Sequence, residues 1–355
     1  MTVPGSSRRS SVHEDWMSSL PPPLWDVPLH HLSIPGSHDS MTYCPDRKSP
    51  LPPAQPRLLH LLGRVAPCIA RPVALNWAVT QEADVSEQLS CGVRCLDLRV
   101  AHAPGDGPAT LRFAHALYST ALVEDALTEV AEWLERHPRE AAVVAMRGFE
   151  GLTPALHERL AACVRNIFGD ALCPRGAVPT LRELWARGQQ VLVSYEDEAT
   201  LRRHPELWPG IPRWHGDELR PRDLVRYLDA MTRCGRPGGL FVAGTNLTAG
   251  PRHALSRPWA SLRAATEAGR PALTTWVREQ RPGPHPACTN VIAADFVGAG
   301  DALVGDIIAL NRKLLPSPPT PSPGFRNVLP GPEAFPGLKG FPLRVLECST
   351  GPPER

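Results

Sequence analysis

The positions of hydrophobic and polar residues along the chain follow two periods in turn. Short apolar runs of strand length are each followed by a longer stretch in which apolar residues recur every three or four positions. This rhythm repeats about seven times and predicts a mostly parallel sheet with helices packed outside it. The period does not decide whether that sheet is open or closed into a barrel. The predicted strands span residues 92–100, 111–115, 141–146, 190–195, 240–245 and 290–297, and the clearest predicted helices span 82–89, 120–137, 223–232 and 302–315.

Capping residues mark the ends of two further predicted helices. Pro154 follows Thr153, and proline is favoured at the first position of a helix. Thr180 and Glu183 form a capping box, in which each side chain accepts a hydrogen bond from the other residue's backbone N–H. Gly188 is predicted to end this second helix, because glycine readily adopts the left-handed conformation that closes a helix.

A stretch near the start of the chain carries the first candidate chemistry. An apolar run from Leu29 ends at Pro35-Gly36, which predicts a strand that stops and turns there. His38 and Asp39 follow, so the turn would hold both at the rim of the sheet. Histidine is the side chain best suited to move protons near neutral pH, and loops at strand ends commonly carry active-site residues. The structural alternative is an aspartate that caps backbone N–H groups beside an ordinary polar histidine.

Five more polar side chains lie at or near the ends of other predicted strands. Asp97 and Arg99 face the same side of one strand, where they form either a single internal ion pair or part of a site. His115 and Arg147 end two further strands, and Asp295 lies in the last one. A lone histidine at a strand end is more often structural than catalytic. Because both open and closed α/β folds place their sites at the carboxyl ends of the strands, the whole set nevertheless predicts one site.

The composition narrows the class of protein. The chain has 355 residues, of which 42% are hydrophobic, so it can bury a large core. Its net charge of +2 comes from 38 basic and 36 acidic residues, and no basic stripe interleaved with aromatic residues indicates a nucleic-acid partner. Residues 16–315 show no break in composition and are predicted to form one domain. Residues 1–15 are predicted to be disordered, and residues 316–355 to be a Pro-rich tail of low structural content, either passive or a ligand for an SH3-like partner.

Cysteine usage and apolar segments bear on the compartment. The nine cysteines are scattered without a C-x-x-C pair, and the spacing of Cys91 and Cys95 suits neither a disulfide framework nor a zinc knuckle. The start of the chain has no apolar region typical of a signal peptide, and no apolar run is long enough to span a membrane. These features predict a reducing, cytoplasmic setting and no transmembrane segment.

The candidate side chains suit one type of reaction. Two histidines, two aspartates and an arginine without metal-ligand spacing indicate cleavage of a phosphodiester by general acid–base catalysis, with no metal or cofactor. One histidine would take a proton from a hydroxyl next to the phosphate, and the other would protonate the leaving oxygen. The planar fork of an arginine suits the charged phosphoryl oxygens. Each histidine needs a carboxylate to hold its tautomer, and Asp39 and Asp295 are available.

Four stretches of the chain resemble a known family. The sequences IPGSHDSMTY, GVRCLDLRV, FAHALY and NVIAADFVG are similar to the X domain of phosphatidylinositol-specific phospholipase C, above all to its small X-domain-only members in animals. The resemblance covers residues 16–315 and leaves out the Pro-rich tail. It implies a distorted TIM barrel of the α/β class. It also implies a phosphodiesterase that acts on a phosphoinositide lipid through peripheral contact with a membrane.

The resemblance further implies a role for each matching residue. His38 corresponds to the general base that activates the inositol 2-hydroxyl, and Asp295 supports it. His115 corresponds to the general acid for the diacylglycerol leaving group, and Asp39 supports it. Arg99 stands where the bacterial members place an arginine on the phosphate, whereas the eukaryotic members use Ca²⁺. The resemblance therefore implies a site that works without a metal ion.

Some positions depart from the family pattern. Arg147 falls near a basic residue that contacts the inositol ring, with arginine in place of lysine. Asp97 and Asp217 are further candidates for contact with the head group. The ring-binding arginine that bacterial members carry after the next strand has no counterpart in residues 193–195. These departures leave the head group less defined than the chemistry.

Two rival functions remain open at the level of sequence. The first is a catalytically weak or inactive barrel that keeps the pocket and binds a phosphoinositide or a protein partner. The second is a metal-dependent glycerophosphodiesterase, which needs clustered carboxylate ligands that Arg99 would obstruct. Membrane contact is equally open, because Trp208 and Trp214 could dip into the interface or belong to the core.

Overall fold

The computed structural model describes most of the predicted domain. The predictions for residues 1–12, in the segment expected to be disordered, and for residues 317–355, in the expected Pro-rich tail, lie outside the described residues. Within residues 67–70 only the backbone is described. The described residues are 13–48, 51–52, 67–250, 253, 256–257, 259–298 and 302–316.

Ten strands of the described residues form one curled sheet. Eight of them run parallel in the order β7-β6-β5-β2-β1-β10-β9-β8, while β3 and β4 form an antiparallel hairpin on β2. The strands are β1 Ile34–Ser37, β2 Cys95–Ala101, β3 Arg112–His115, β4 Leu117–Leu122, β5 Ala142–Glu150, β6 Val191–Tyr195, β7 Trp208–Pro209, β8 Arg213–Trp214, β9 Val242–Gly244 and β10 Val291–Ala294.

The sheet curls into a distorted barrel. Around it the eight parallel strands follow one another in chain order, and β10 returns to pair with β1. No ladder joins the described strands β7 and β8, although only a short link separates them in sequence. The predictions of a parallel sheet with outer helices and of a distorted TIM barrel are therefore confirmed.

Helices cover the outside of the barrel between successive strands. Two predicted capping sites hold: the Thr153 side chain accepts the N–H of Leu156, and Thr180 and Glu183 form a capping box that ends at a left-handed Gly188. The helices are α1 Pro67–Ala78, α2 Val85–Ser90, α3 Val123–Arg136, α4 Pro154–Phe168, α5 Leu181–Arg187, α6 Glu198–Arg203, α7 Pro221–Cys234, α8 Leu262–Glu279 and α9 Ala302–Ala309, and short 3-10 helices span Pro22–Asp26, Leu29–His31, Gly169–Ala171 and Leu310–Leu314.

The structure corrects the prediction of a turn at Pro35-Gly36. Strand β1 continues through both residues to Ser37, and the apolar run before it includes a 3-10 helix. Proline is tolerated because the ladder from β1 to β2 begins only at Gly36. The Pro35 carbonyl still accepts the Arg94 N–H at 2.9 Å. His38 therefore follows the strand directly.

One further element differs from the prediction, and one alternative that the sequence left open is decided. The helix expected from residue 120 begins at Val123, because residues 117–122 form the second strand of a hairpin. Trp208 and Trp214 belong to short strands, and both are buried, so they are part of the core. No helix among the described residues is long and apolar enough to cross a membrane.

The core has two parts, and their positions leave one end of the barrel free for a site. Inside the barrel, small and aliphatic side chains such as Cys95, Ala145 and Val291 pack together with the segment before β1. Outside it, the other faces of the strands pack against the helices. Because the segment before β1 fills the amino end of the barrel, the polar residues gather at the carboxyl end.

Candidate active site

The carboxyl ends of four parallel strands and one hairpin bring the predicted residues together. His38 and Asp39 follow β1, and Asp295 follows β10. These loops and strand ends also supply the other residues of the cluster, which are Asp97, Arg99, His115 and Arg147. Of the predicted residues, Asp217 alone lies outside the cluster. Its side chain is 86% exposed, and its carboxylate lies 3.4 Å from Nε2 of His215.

His38 lies between two carboxylates. Its Nδ1 lies 2.8 Å from Oδ1 of Asp295, and its Nε2 lies 3.1 Å from Oδ2 of Asp39. Burial by itself would lower the pKa of His38, but the Asp39 and Asp295 carboxylates outweigh burial and raise that pKa above its ordinary value. The contact with Asp295 holds a proton on Nδ1, so Nε2 is the nitrogen that can exchange a proton with a bound molecule.

His115 shares a carboxylate with His38. Its Nδ1 lies 2.8 Å from the carbonyl oxygen of Ala78 and its Nε2 lies 3.3 Å from Oδ2 of Asp39, so one carboxylate oxygen faces both imidazoles. Burial lowers the pKa of His115, and the positive charges of Arg99 and His38 add to that effect while Asp39 opposes it. The carbonyl of Ala78 keeps a proton on Nδ1, which leaves Nε2 as the exchanging nitrogen.

Three guanidinium groups surround the two buried carboxylates next to the histidines. Arg99 places Nε 2.6 Å from Oδ1 of Asp39. Arg147 donates two hydrogen bonds of 2.6 Å to Asp97 and a longer one of 3.2 Å to Asp39, and Arg213 donates one of 3.0 Å to Asp97. Burial would raise the pKa of Asp97, but Arg213 and Arg147 hold it well below its usual range. Asp97 is therefore the counter-ion that fixes two arginines in place.

The donor set does not suit a divalent cation. His38, Asp39 and Asp97 bring possible ligand atoms within 4.8 Å of one another. However, the carboxylate oxygens of Asp39 and Asp97 already face guanidinium groups, which supply the neutralising charge. A Ca²⁺ ion takes six to eight oxygen ligands and would have to displace these cations. The cluster therefore fits a site whose positive charge comes from arginine.

Backbone strain is concentrated at this site. Four non-glycine residues in the described part of the chain have a positive φ: 42° at Asp39, 57° at Ala116, 42° at Phe149 and 53° at Phe296. Each is a residue of the cluster or lies within two positions of one. Residues other than glycine, asparagine, aspartate and histidine rarely adopt this conformation, so at Ala116, Phe149 and Phe296 it persists only where surrounding contacts enforce it. The strained backbone lowers the stability of the fold and sets the directions of the neighbouring side chains of the cluster.

A cleft opens above the cluster. One part of it is bordered by strands β8 and β9. Arg213, His215 and Asn246 line this part together with His38 and Arg99, and none of these first three was predicted from the sequence. Little in the sequence indicated Arg213, because its strand has only two residues and is too short to produce a period. His215 and Asn246 belong to no strand or helix.

Comparison with known proteins places the chain among close relatives. It is 61% identical to human PI-PLC X domain-containing protein 1 over 86% of this chain and 94% of the relative. It is 42% identical to the protein of the same name from Danio rerio over 84% of this chain and 97% of the relative. It is 34% identical to human PI-PLC X domain-containing protein 3 over 84% of this chain and 93% of the relative. No model of a protein family matches the chain.

Solved structures share the fold at low sequence identity. A phosphatidylinositol-specific phospholipase C from Staphylococcus aureus superposes with a TM-score of 0.62 at 18% identity, over 85% of this chain and 99% of that one. The phosphatidylinositol-specific phospholipase C from Listeria monocytogenes gives a TM-score of 0.54 at 18% identity, over 84% of this chain and 98% of that one. At 18% sequence identity, this structural similarity shows that the chain and the two enzymes share the barrel fold.

Proposed function

The chain belongs to the PI-PLC X domain-containing proteins, and from this premise we propose that it is a phosphoric diester hydrolase of phospholipase C type. Its substrate would be phosphatidylinositol or a related diester at a membrane surface, and its products would be diacylglycerol and an inositol phosphate. The scattered cysteines support a cytoplasmic location for this activity. The observation that carries the proposal is the carboxylate shared by two histidines, each of which has a separate partner at Nδ1.

The first step of the proposed reaction uses His38 as the base. Nε2 of neutral His38 takes the proton of a ring hydroxyl next to the phosphate, while Nδ1 keeps its proton against Asp295. The hydroxyl oxygen then attacks phosphorus and forms the new P–O bond of a cyclic phosphate. Asp295 stabilises the imidazolium that results, since its carboxylate lies 2.8 Å from the ring.

The second part of the reaction uses His115 as the acid, and Asp39 supports it. The bond between phosphorus and the glycerol oxygen breaks, and that oxygen receives the Nε2 proton of protonated His115, whose imidazolium is stabilised by the Asp39 carboxylate 3.3 Å away. The Ala78 carbonyl holds the ring of His115 in the orientation that this transfer needs. Water can later open the cyclic phosphate with the two histidines in exchanged roles.

Arg99 supplies positive charge for the phosphoryl oxygens. Its side chain is 32% exposed and lines the cleft, whereas Arg147 and Arg213 each donate hydrogen bonds to Asp97. A preorganised guanidinium stabilises charge that develops in the transition state. We infer that Arg147 and Arg213 contact the ring or its substituents, which their position in the lining of the cleft supports, and a direct contact of Asp97 or Asp217 with the ring stays a prediction.

The proposal is tested by assaying the purified protein on phosphatidylinositol vesicles, once with EDTA and once with added Ca²⁺. We expect turnover to survive EDTA, and we expect His38→Ala and His115→Ala each to lower the rate by about 100-fold or more. The matched control is His285→Ala, because His285 is exposed and away from the cleft.

Each other outcome would count against a stated part of the proposal. Turnover that needs Ca²⁺ would contradict the role of Arg99. Activity that persists in either histidine variant would contradict the acid–base assignment. A folded wild-type protein that binds the vesicles without turnover would favour a barrel that binds phosphoinositide and does not cleave it.

A further inference from the structure

The segment Ala78–Gln81, which begins at the last residue of helix α1, contacts the loops after β1 and β10 and the side chain of His115 at the end of β3. We call it the clamp segment. None of its residues was a candidate in the sequence. Its contacts involve both backbone and side-chain atoms, and together they connect the loops after β1 and β10 with the end of β3.

Gln81 ties the loop of His38 to the loop of Asp295. Its side chain is wholly buried, and its amide nitrogen donates to the carbonyl oxygens of His38 and Ala294, each at 2.9 Å. Its amide oxygen accepts the backbone N–H of Val297 at 3.1 Å. One side chain thus bonds the backbone of the base and the backbone on both sides of its supporting carboxylate.

Thr80 binds the same two loops from the neighbouring position. Its hydroxyl lies 2.9 Å from the carbonyl oxygen of His38 and 3.1 Å from that of Asp39, so its single proton is shared between them. Its own carbonyl oxygen accepts the N–H of Phe296 at 2.7 Å. The hydroxyl of Thr42 accepts the N–H groups of both Thr80 and Gln81, which fixes the clamp segment itself.

The first residue of the clamp segment acts on the second histidine. The carbonyl oxygen of Ala78 accepts a hydrogen bond from Nδ1 of His115 at 2.8 Å. The loops after β1 and β10 each contain a left-handed residue, Asp39 in one and Phe296 in the other, and the clamp segment bonds the backbone of both. A left-handed non-glycine residue persists only where surrounding contacts enforce its conformation, and the clamp segment supplies such contacts.

We propose that the clamp segment positions both histidines and the carboxylate of Asp295 for the reaction, with Gln81 as its principal positioning residue. This inference rests on the proposed function. The side chain of Gln81 is wholly buried, and its hydrogen bonds are with backbone atoms of the loops that carry His38 and Asp295. Loss of its amide should therefore slow the chemical step while substrate binding stays close to normal.

The test compares Gln81→Met with Gln190→Met. Both changes replace a glutamine amide by a side chain of similar size. The Gln190 amide donates to three carbonyl oxygens at the amino end of the barrel, so this variant loses as many hydrogen bonds as Gln81→Met. In Gln81→Met we expect kcat on phosphatidylinositol vesicles to fall roughly 10- to 100-fold with KM changed less than about threefold, because a misplacement of about 1 Å costs on that order. In Gln190→Met we expect kcat within about twofold of the wild type.

A second readout does not depend on turnover. NMR titration of the histidine rings should show the pKa of His38 falling in Gln81→Met, since the loop that carries Asp295 is no longer tied to the loop of His38. The titration should be unchanged in Gln190→Met. If Gln81→Met does not fold, Thr80→Val, which lacks the hydroxyl, should show the same losses, and Thr80→Ser, which keeps it, should retain most of the activity.

The outcomes separate the two proposals. An active wild-type enzyme with unchanged kcat and unchanged His38 titration in Gln81→Met would overturn the positioning role. Equal losses of kcat in both methionine variants would also overturn it, since the effect would then be general destabilisation. If the wild type is inactive, the proposed function fails, and the titration of His38 in the two variants still decides whether the clamp segment positions it.

Discussion

At the scale of single residues, the two histidines of the site are held in different electrostatic states by their neighbours. The pKa of His38 is raised by Asp39 and Asp295 against the effect of burial, whereas the pKa of His115 is lowered by burial together with Arg99 and His38. In the free protein a proton therefore resides preferentially on His38. The proposed roles need the opposite distribution, and an anionic phosphodiester near His115 and Arg99 would move it in that direction, because a negative charge raises the pKa of a neighbouring imidazole.

The contribution of Asp295 can be measured directly. Asp295→Asn removes a negative charge 2.8 Å from Nδ1 of His38, so the imidazolium loses stabilisation and the pKa of His38 should fall. NMR titration of the histidine ring measures that shift, and kcat should fall by about 10²- to 10⁴-fold. Glu206→Gln, next to the remote His204, is the control and should leave the titration of His38 unchanged. A pKa for His38 that stays the same or rises in Asp295→Asn would contradict this account.

At the scale of elements, strand β1 shows how packing sets the conformation of the site. Pro35 and Gly36 resemble a turn in sequence but lie within a strand inside the barrel. A Cβ atom on Gly36 would meet Cγ1 of Val291 at 2.9 Å and Cβ of Ala293 at 3.3 Å. The glycine therefore lets β1 approach β10, and this approach brings His38 to Asp295.

Gly36→Ala should test this close approach. The added methyl group must displace Val291 or move the strands apart, so we expect a loss of about 1–3 kcal/mol in the free energy of unfolding, measured in urea. Gly176→Ala is the matched control, because a Cβ atom there meets nothing within 4 Å. In a protein that already carries Val291→Ala, the change Gly36→Ala should cost less stability than it costs in the wild type, because the methyl group then has space. A Gly36→Ala protein as stable as the Gly176→Ala protein would show that a methyl group fits between β1 and β10, and it would contradict the close approach of the two strands.

At the scale of the whole molecule, the two ends of the barrel do different work. The carboxyl end carries the strained, charged site, and the amino end is closed by the segment before β1 and a buried ion pair. The guanidinium of Arg94 is wholly buried and donates at 2.8 and 3.0 Å to Oε2 of Glu140. Glu140 also accepts the backbone N–H groups of Met17 and Ser18, so it ties the first described segment to the barrel.

Glu140→Gln should therefore be strongly destabilising. The carbonyl oxygens of Leu89 and Val93 still accept hydrogen bonds from Arg94, but its charge loses the buried carboxylate that it faces, and we expect a loss of about 3–5 kcal/mol in the free energy of unfolding. Asp26→Asn, at the exposed pair with Arg182, should cost less than about 1 kcal/mol. Both values come from chemical denaturation at the same pH. A loss for Glu140→Gln no larger than that for Asp26→Asn would mean that the buried pair does not close the barrel.

Much of this molecule can be predicted from local pattern, and the misses have a common cause. The alternation of strands and helices, the caps at Thr153 and Thr180 and the placing of His38 and Arg99 at strand ends follow from residues near one another in the chain. Arg213 was missed because its strand has two residues, too few to produce a period. The buried Gln81 was missed because a single glutamine gives no pattern at all.

The sequence by itself determined the class of fold, the family and the residues able to carry acid–base chemistry, because periodicity, capping and motifs are properties of short stretches. Only the tertiary structure decided that one oxygen of Asp39 faces both histidines, that Asp97 serves two arginines and that Gln81 joins two loops. Those relations depend on distances between residues far apart in the chain. Such distances exist only once the barrel has closed and buried the groups together, since burial is what makes each unpaired charge or amide costly enough to enforce a partner.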